Sequence, residues 1–172
     1  MNIRSYDQQL DNVNVGPNAG FGFYIGAATQ IQMKDCVSFM NEVGMTVSSD
    51  AGLIQVSNSV FDDNNKEGTI VLRGTGAGDY GGRVFVGCSW RRNSASATNT
   101  YSDIKIDSCR RTSIISPQFT GSEGSGHVAK YNVEFSSSTQ KPYVHVTSIM
   151  SENASGNSYG TALTNDFTSL MF

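Results

Sequence analysis

Apolar residues recur at every second position in short runs. Ile31 and Met33, Ile54 and Val56, Val84 and Val86, Ile104 and Ile106, Val133 and Phe135, and Val144 and Val146 are each two apart. Gly, Ser, Asn or Asp bounds each run. A period of two places alternate side chains on opposite faces of a strand, and the bounding residues favour turns. The i, i+3, i+4 spacing of an amphipathic helix is rare. The pattern predicts an all-β chain.

The strands also repeat. Three four-residue stretches share one frame, a bulky apolar residue, two polar residues and an asparagine: FDDN at 61–64, WRRN at 90–93 and MSEN at 150–153. With Asn41 before them and Ser122 in the asparagine slot after Phe119, the slots are Asn41, Asn64, Asn93, Ser122 and Asn153, in steps of 23, 29, 29 and 31 residues. A strand-like segment precedes each slot: IQMKDCVSF, IQVSNSVF, VFVGCSW, TSIISPQF and VHVTSIM. A second apolar segment usually follows it: GMTV, GTIVL, SDIKI or YNVEF, while GFYIG stands before the first frame. Units of about 20–30 residues cannot bury an apolar face alone, so they stack on one another. Parallel strands in such a stack lie about 4.8 Å apart. The expectation is about five coils. A β-sandwich would also explain strands with frequent turns, but not the recurring frame.

In a stack, a repeated slot becomes a column. Phe39, Phe61, Trp90, Phe119 and Met150 are expected to form an interior column, with Phe39 one residue out of step. The asparagines mark the bend, where the side chain tolerates left-handed backbone and its amide can bond backbone or the next asparagine. Cys36, Ser59 and Cys88 fall near one slot for small residues just before the aromatic column. The two polar residues of each frame point at least partly outward. This sets Asp62 and Asp63 above Arg91 and Arg92, either as a salt bridge between coils or as the lip of a carbohydrate groove.

On the segments IQVSNSVFDDN, VFVGCSWRRN and VHVTSIMSEN, the chain resembles the right-handed parallel β-helix of the pectate-lyase-like superfamily over about residues 20–155. Its Ser/Thr/Gly-rich style with long corners is similar to bacteriophage tailspikes and capsule depolymerases. The resemblance implies a homotrimer that binds or cleaves bacterial surface polysaccharide, works beside other phage tail proteins, and sits on the virion tail or outside the cell. Members of that family are usually several hundred residues long, so the resemblance also implies a fragment or a small module of a larger depolymerase. The expected division is an opening strand or cap at 1–19, a parallel β-helix at 20–158, and an irregular C-terminal cap or interface segment at 159–172.

Two carboxyls are needed to cleave a glycosidic bond. Asp62, Asp63 and Glu67, in DDNNKE, are the densest acidic cluster and the catalytic candidates. A lyase would instead need a base and positive charge beside a uronate, which Arg91 or Arg92 could provide. The long corner RGTGAGDYGGR contains Gly76, Gly78 and Gly81 in G-x-G-x-x-G spacing. A dinucleotide fingerprint requires a following helix, and here the strand RVFVG follows. That corner is either a flexible protruding loop or a sugar-contact tip in which the Tyr80 ring stacks on a pyranose and Asp79 accepts hydroxyl hydrogen bonds. Tyr101, in the corner RRNSASATNTY, joins Arg91 and Arg92 as a substrate-binding candidate.

Composition narrows the remaining classes. The 172 residues include 18 glycines and three cysteines, and the net charge is −3. That charge gives no footprint for nucleic acid, and no apolar run is long enough for membrane insertion. An odd cysteine count without a C-x-x-C pair, and two isolated histidines, argue for buried thiols over a disulfide or metal site. No cofactor motif stands out. The final TALTNDFTSLMF leaves the coil pattern, and its apolar residues are expected to cover the last coil or a subunit interface.

Overall fold

A computed structural model describes residues 1–3, 7–27, 30–72, 82–97, 100–107, 112–120, 129–135, 144–147 and 150–151. Asp79, Tyr80, Ser122, Asn153 and the segment 159–172 lie outside the described residues.

All regular structure among the described residues is strand. The first nine are β1 (Asn2–Ile3), β2 (Gln8–Asp11), β3 (Asn14–Val15), β4 (Asn18–Ile25), β5 (Gln30–Lys34), β6 (Val37–Phe39), β7 (Asn41–Val47), β8 (Leu53–Ser57) and β9 (Val60–Asp62). The next nine are β10 (Thr69–Val71), β11 (Arg83–Val86), β12 (Ser89–Arg91), β13 (Ile104–Ile106), β14 (Thr112–Ile115), β15 (Gln118–Thr120), β16 (Val133–Phe135), β17 (Val144–Thr147) and β18 (Met150–Ser151). They form three six-stranded sheets, β1-β4-β7-β10-β13-β16, β2-β5-β8-β11-β14-β17 and β3-β6-β9-β12-β15-β18. The chain visits the sheets in rotation, and each strand pairs in parallel with the strand three places later. Strands β8 and β11 illustrate the register, with Ile54 opposite Arg83 and Val56 opposite Phe85. This connectivity is consistent with a parallel β-helix.

Alternation decides what each pass buries. In the second sheet Leu10, Met33, Val56, Phe85, Ile114 and Val146 stand in register, and all are buried. In the first, Ile3, Ile25, Val47, Val71 and Ile106 do the same. Residues from all three sheets join one hydrophobic core.

The third sheet corrects the expected aromatic column. Phe61, Trp90 and Phe119 are in register, and their rings stack at 5.5 Å with interplanar angles of 20° and 27°. Such contacts add about 0.5–1.5 kcal/mol per pair beyond area burial. Phe39 does not belong to the column. Ser38 lies opposite Phe61, and Phe39 lies opposite Asp62. Met150 is likewise displaced, because Ser151 lies opposite Phe119. The frame's slot three before the asparagine therefore holds Ser38 in the earlier pass, and Met150 lies opposite Gln118 in the last described pass.

Two left-handed positions recur at the bends. Asn12, Asp35, Asn58, Gly87 and Ser116 precede the third-sheet strands, and Met40, Asp63 and Arg92 follow them, all with φ between 49° and 60°. The bend residue is therefore the one before each column asparagine. Its N–H bonds the next pass, as in Asp63 to Arg91 O at 2.9 Å and Arg92 to Thr120 O at 3.0 Å.

Candidate functional site

Behind the bend, the asparagines form a buried ladder. Asn64 Nδ2 donates to Asn93 Oδ1 at 2.9 Å, and Asn41 Nδ2 reaches Asn64 Oδ1 at 3.4 Å. Asn18 continues the ladder by donating to Asn41 Oδ1. Three of the amides also bind backbone one pass below: Asn93 Nδ2 at Phe61 O, 3.1 Å, Asn64 Nδ2 at Ser38 O, 3.4 Å, and Asn41 Nδ2 at Val15 O, 3.1 Å. The amides donate in one direction along the stack, so their dipoles add.

Glycines make room for the ladder. Gly44 and Gly68 lie one before the paired residues Met45 and Thr69. A Cβ at Gly44 would stand 2.8 Å from Asn64 Nδ2, and one at Gly68 would stand 2.7 Å from Asn93 Nδ2. At the next pass the same position is Asp103, one before Ile104. Its carboxyl takes the place of a further asparagine, and Asn93 Nδ2 donates to Asp103 Oδ1 at 3.0 Å. Burial pushes the Asp103 carboxyl up to about 8, against the opposing pull of the Asn93 amide. The repeated glycine that opens GMTV and GTIVL was the available signal for this column, and the change to aspartate in SDIKI marks where the ladder changes chemistry.

In front of the ladder the polar frame residues separate into distinct clusters. Asp62 lies opposite Arg91. It accepts Arg91 Nη2 at 3.0 Å, Arg92 Nε at 3.1 Å and Arg92 Nη2 at 2.8 Å. The Arg92 pair is the two-pronged geometry that makes such contacts strong. The Asp62 side chain is 12% exposed, whereas Arg91 and Arg92 keep 47% and 45% of theirs open. Asp62 is thus covered by its arginines and does not point outward with them. The hydrogen bonds it donates to the Asp62 carboxylate, with that group's charge, hold the Arg92 guanidinium above its ordinary range, and Asp63 adds to this. Asp63 occupies the left-handed bend.

Glu67 is placed elsewhere. It precedes Gly68 in the corner leading to the first sheet and is 6% exposed. Burial raises its pKa and the nearby Glu134 carboxylate raises it further, while its own backbone N–H, Lys105 and Lys66 oppose the shift. Lys105 and Glu134 are in register on adjacent strands, and Ser102 Oγ donates to Glu134 Oε2 at 2.7 Å. Asp62 and Glu67 therefore have different partners and do not share a charged cluster.

Tyr101 stands above Lys66, whose Nζ is 5.8 Å from the ring centroid. The same Nζ pairs with Glu42 Oε1 at 2.7 Å. That hydrogen bond holds the Glu42 carboxyl below its usual range. Lys130 N donates to Tyr101 O at 2.8 Å and its ammonium lies 5.1 Å from the Tyr131 ring, which continues a row of cations and rings along the corner.

The small-residue slot is buried. Cys36 N donates to Ser59 Oγ at 3.1 Å, and the Cys88 thiol is pushed up to about 11 by burial. A thiol so protonated is a poor nucleophile. Among the described residues, no group of three or more His, Cys, Asp or Glu side chains is placed to hold a metal.

No protein-family model, no curated protein and no solved structure matches the chain.

Proposed function

We propose that the chain is a right-handed parallel β-helix module, tailspike-like, that binds bacterial surface polysaccharide for host attachment as part of a trimer. The observation that carries the reading is the pair Arg91 and Arg92. Both are anchored on the mostly hidden Asp62, yet each leaves nearly half its side chain to solvent. Fixed guanidinium groups offer directed donors to sugar hydroxyls or carboxylates with little entropy left to lose on binding. Tyr101, held near Lys66, adds a ring on the same corner system. Purified protein should bind capsular or O-antigen polysaccharide, and Arg91→Ala with Arg92→Ala should weaken that binding by about tenfold. Unchanged binding by the double variant would remove the arginines from the reading. Sedimentation as a stable monomer would remove the trimer.

A hydrolase reading has one specific support, the Glu67 acid raised by burial and, in smaller part, by the Glu134 carboxylate. Two carboxyls in unlike environments suit an acid and its partner. Incubation with polysaccharide should then release reducing ends, and Glu67→Gln should stop the release.

A further inference from the structure

A second polar surface lies on the outer side of the second sheet. Asp7, Gln8, Gln9, Gln30 and Gln32 line a cleft of about 200 Å³. Register builds it: Gln9 stands opposite Gln32, and Gln32 opposite Gln55. These three carboxamides form an outward row, one per strand, and all three residues are exposed. The row runs along the sheet at the strand spacing of about 4.8 Å.

Gln8 is the unusual member. It is in register with the buried Ile31, whose partner on the following strand is the buried Ile54. Every alternate position on this side faces the core in later passes, yet Gln8 is polar and exposed. Gln8 therefore adds another exposed carboxamide to the lining of the cleft.

We infer that this cleft is a subsite for a neutral, hydroxyl-rich sugar unit. The inference rests on the polysaccharide-binding reading but places a contact on a different face from Arg91 and Arg92. A carboxamide carries an acceptor and two donors, and a sugar hydroxyl is both donor and acceptor, so a row of amides can match successive hydroxyls without any ion. Among the described residues no cation lines the cleft, and the Asp7 carboxylate disfavours phosphate, sulfate or uronate while it can accept from a hydroxyl. The ligand chemistry is therefore a neutral polyol, in contrast to the arginine corner.

The test uses the full chain on an array of purified bacterial polysaccharides sorted into neutral and acidic sets, followed by calorimetric titration of the best binder. Gln9→Leu with Gln32→Leu keeps side-chain size and removes the hydrogen bonds. The double variant should melt like the parent and lose about tenfold or more in affinity for neutral glycans, the equivalent of two lost hydrogen bonds. Neutral-glycan affinity equal to the parent overturns the cleft. Binding only to acidic glycans, weakened by Arg91→Ala and not by the glutamine variant, overturns the cleft and leaves the polysaccharide reading standing. Binding to no glycan overturns both. Self-association of the parent that the glutamine variant abolishes, without glycan binding, would assign the row to contact between copies and overturn the sugar subsite.

Discussion

Asn93 Nδ2 donates to Asp103 Oδ1 at 3.0 Å in a part of the core where neither residue is exposed beyond 2%. A row of amides therefore donates to an acid. Burial holds the Asp103 carboxyl at about 8, against an ordinary 3.8. Folding thus retains a proton that the unfolded chain releases once pH exceeds the ordinary value. Stability should fall as pH rises from about 4 to about 8 and level off above that. Asp103→Asn keeps an acceptor for Asn93 and cannot ionise. Urea midpoints measured across this window should slope less in the variant. Equal slopes would remove Asp103 as their source.

The ladder itself should be costly to break. Asn64 Oδ1 accepts from the Asn41 backbone N–H at 3.1 Å, and Asn64 Nδ2 donates to Asn93 Oδ1. Asn64→Ala leaves buried donors and acceptors without these partners, at about 1–3 kcal/mol. Chemical denaturation should show that loss, and a change under roughly 0.5 kcal/mol, the scatter of surface substitutions, would contradict it.

Glycine at 68 is a space requirement. An added Cβ would meet Trp90 Cδ1 at 2.6 Å and Asn93 Nδ2 at 2.7 Å. Both neighbours are themselves buried and engaged, so Gly68→Ala should cost about 1–3 kcal/mol as an overpacked site does. The measurement is the thermal midpoint against that of Gly20→Ala, where the nearest atom is Asn18 Oδ1 at 3.4 Å.

Trp90 joins all three sheets. It stacks between Phe61 and Phe119, meets Phe85 edge-on at 5.9 Å, and donates Nε1–H to Thr69 Oγ1 at 3.0 Å. Trp90→Ala should cost about 3–5 kcal/mol, and Trp90→Phe less, with the remaining loss traced to the unpaired Thr69 hydroxyl. Denaturation of both variants measures the difference.

The Asp62 cluster should matter far less to stability. Its arginines are half open to solvent, so Asp62→Asn should cost about 1 kcal/mol or less, and the cost should shrink with added salt. A loss that is large and independent of salt would mean the cluster behaves as a buried pair.

Period-two patterning was enough to determine an all-β chain, because alternation is a local property of a strand. The asparagine frame was enough to determine stacking and Asp62 over Arg91, but the left-handed bend falls on the residue before each asparagine, at Met40, Asp63 and Arg92. The tertiary structure decided register, burial and partnership. Ser38, not Phe39, stands opposite Phe61, because the same 23-residue step that relates Asn41 to Asn64 relates Ser38 to Phe61. The tertiary structure also gave Glu67 other electrostatic neighbours than Asp62, five residues away in the chain, among them Glu134, 67 residues away. It brought Asp103, ten residues along the chain, to the amide of Asn93 inside the buried ladder. These contacts join residues on successive passes, and their chain separation varies with every corner, so only the folded stack brings them together.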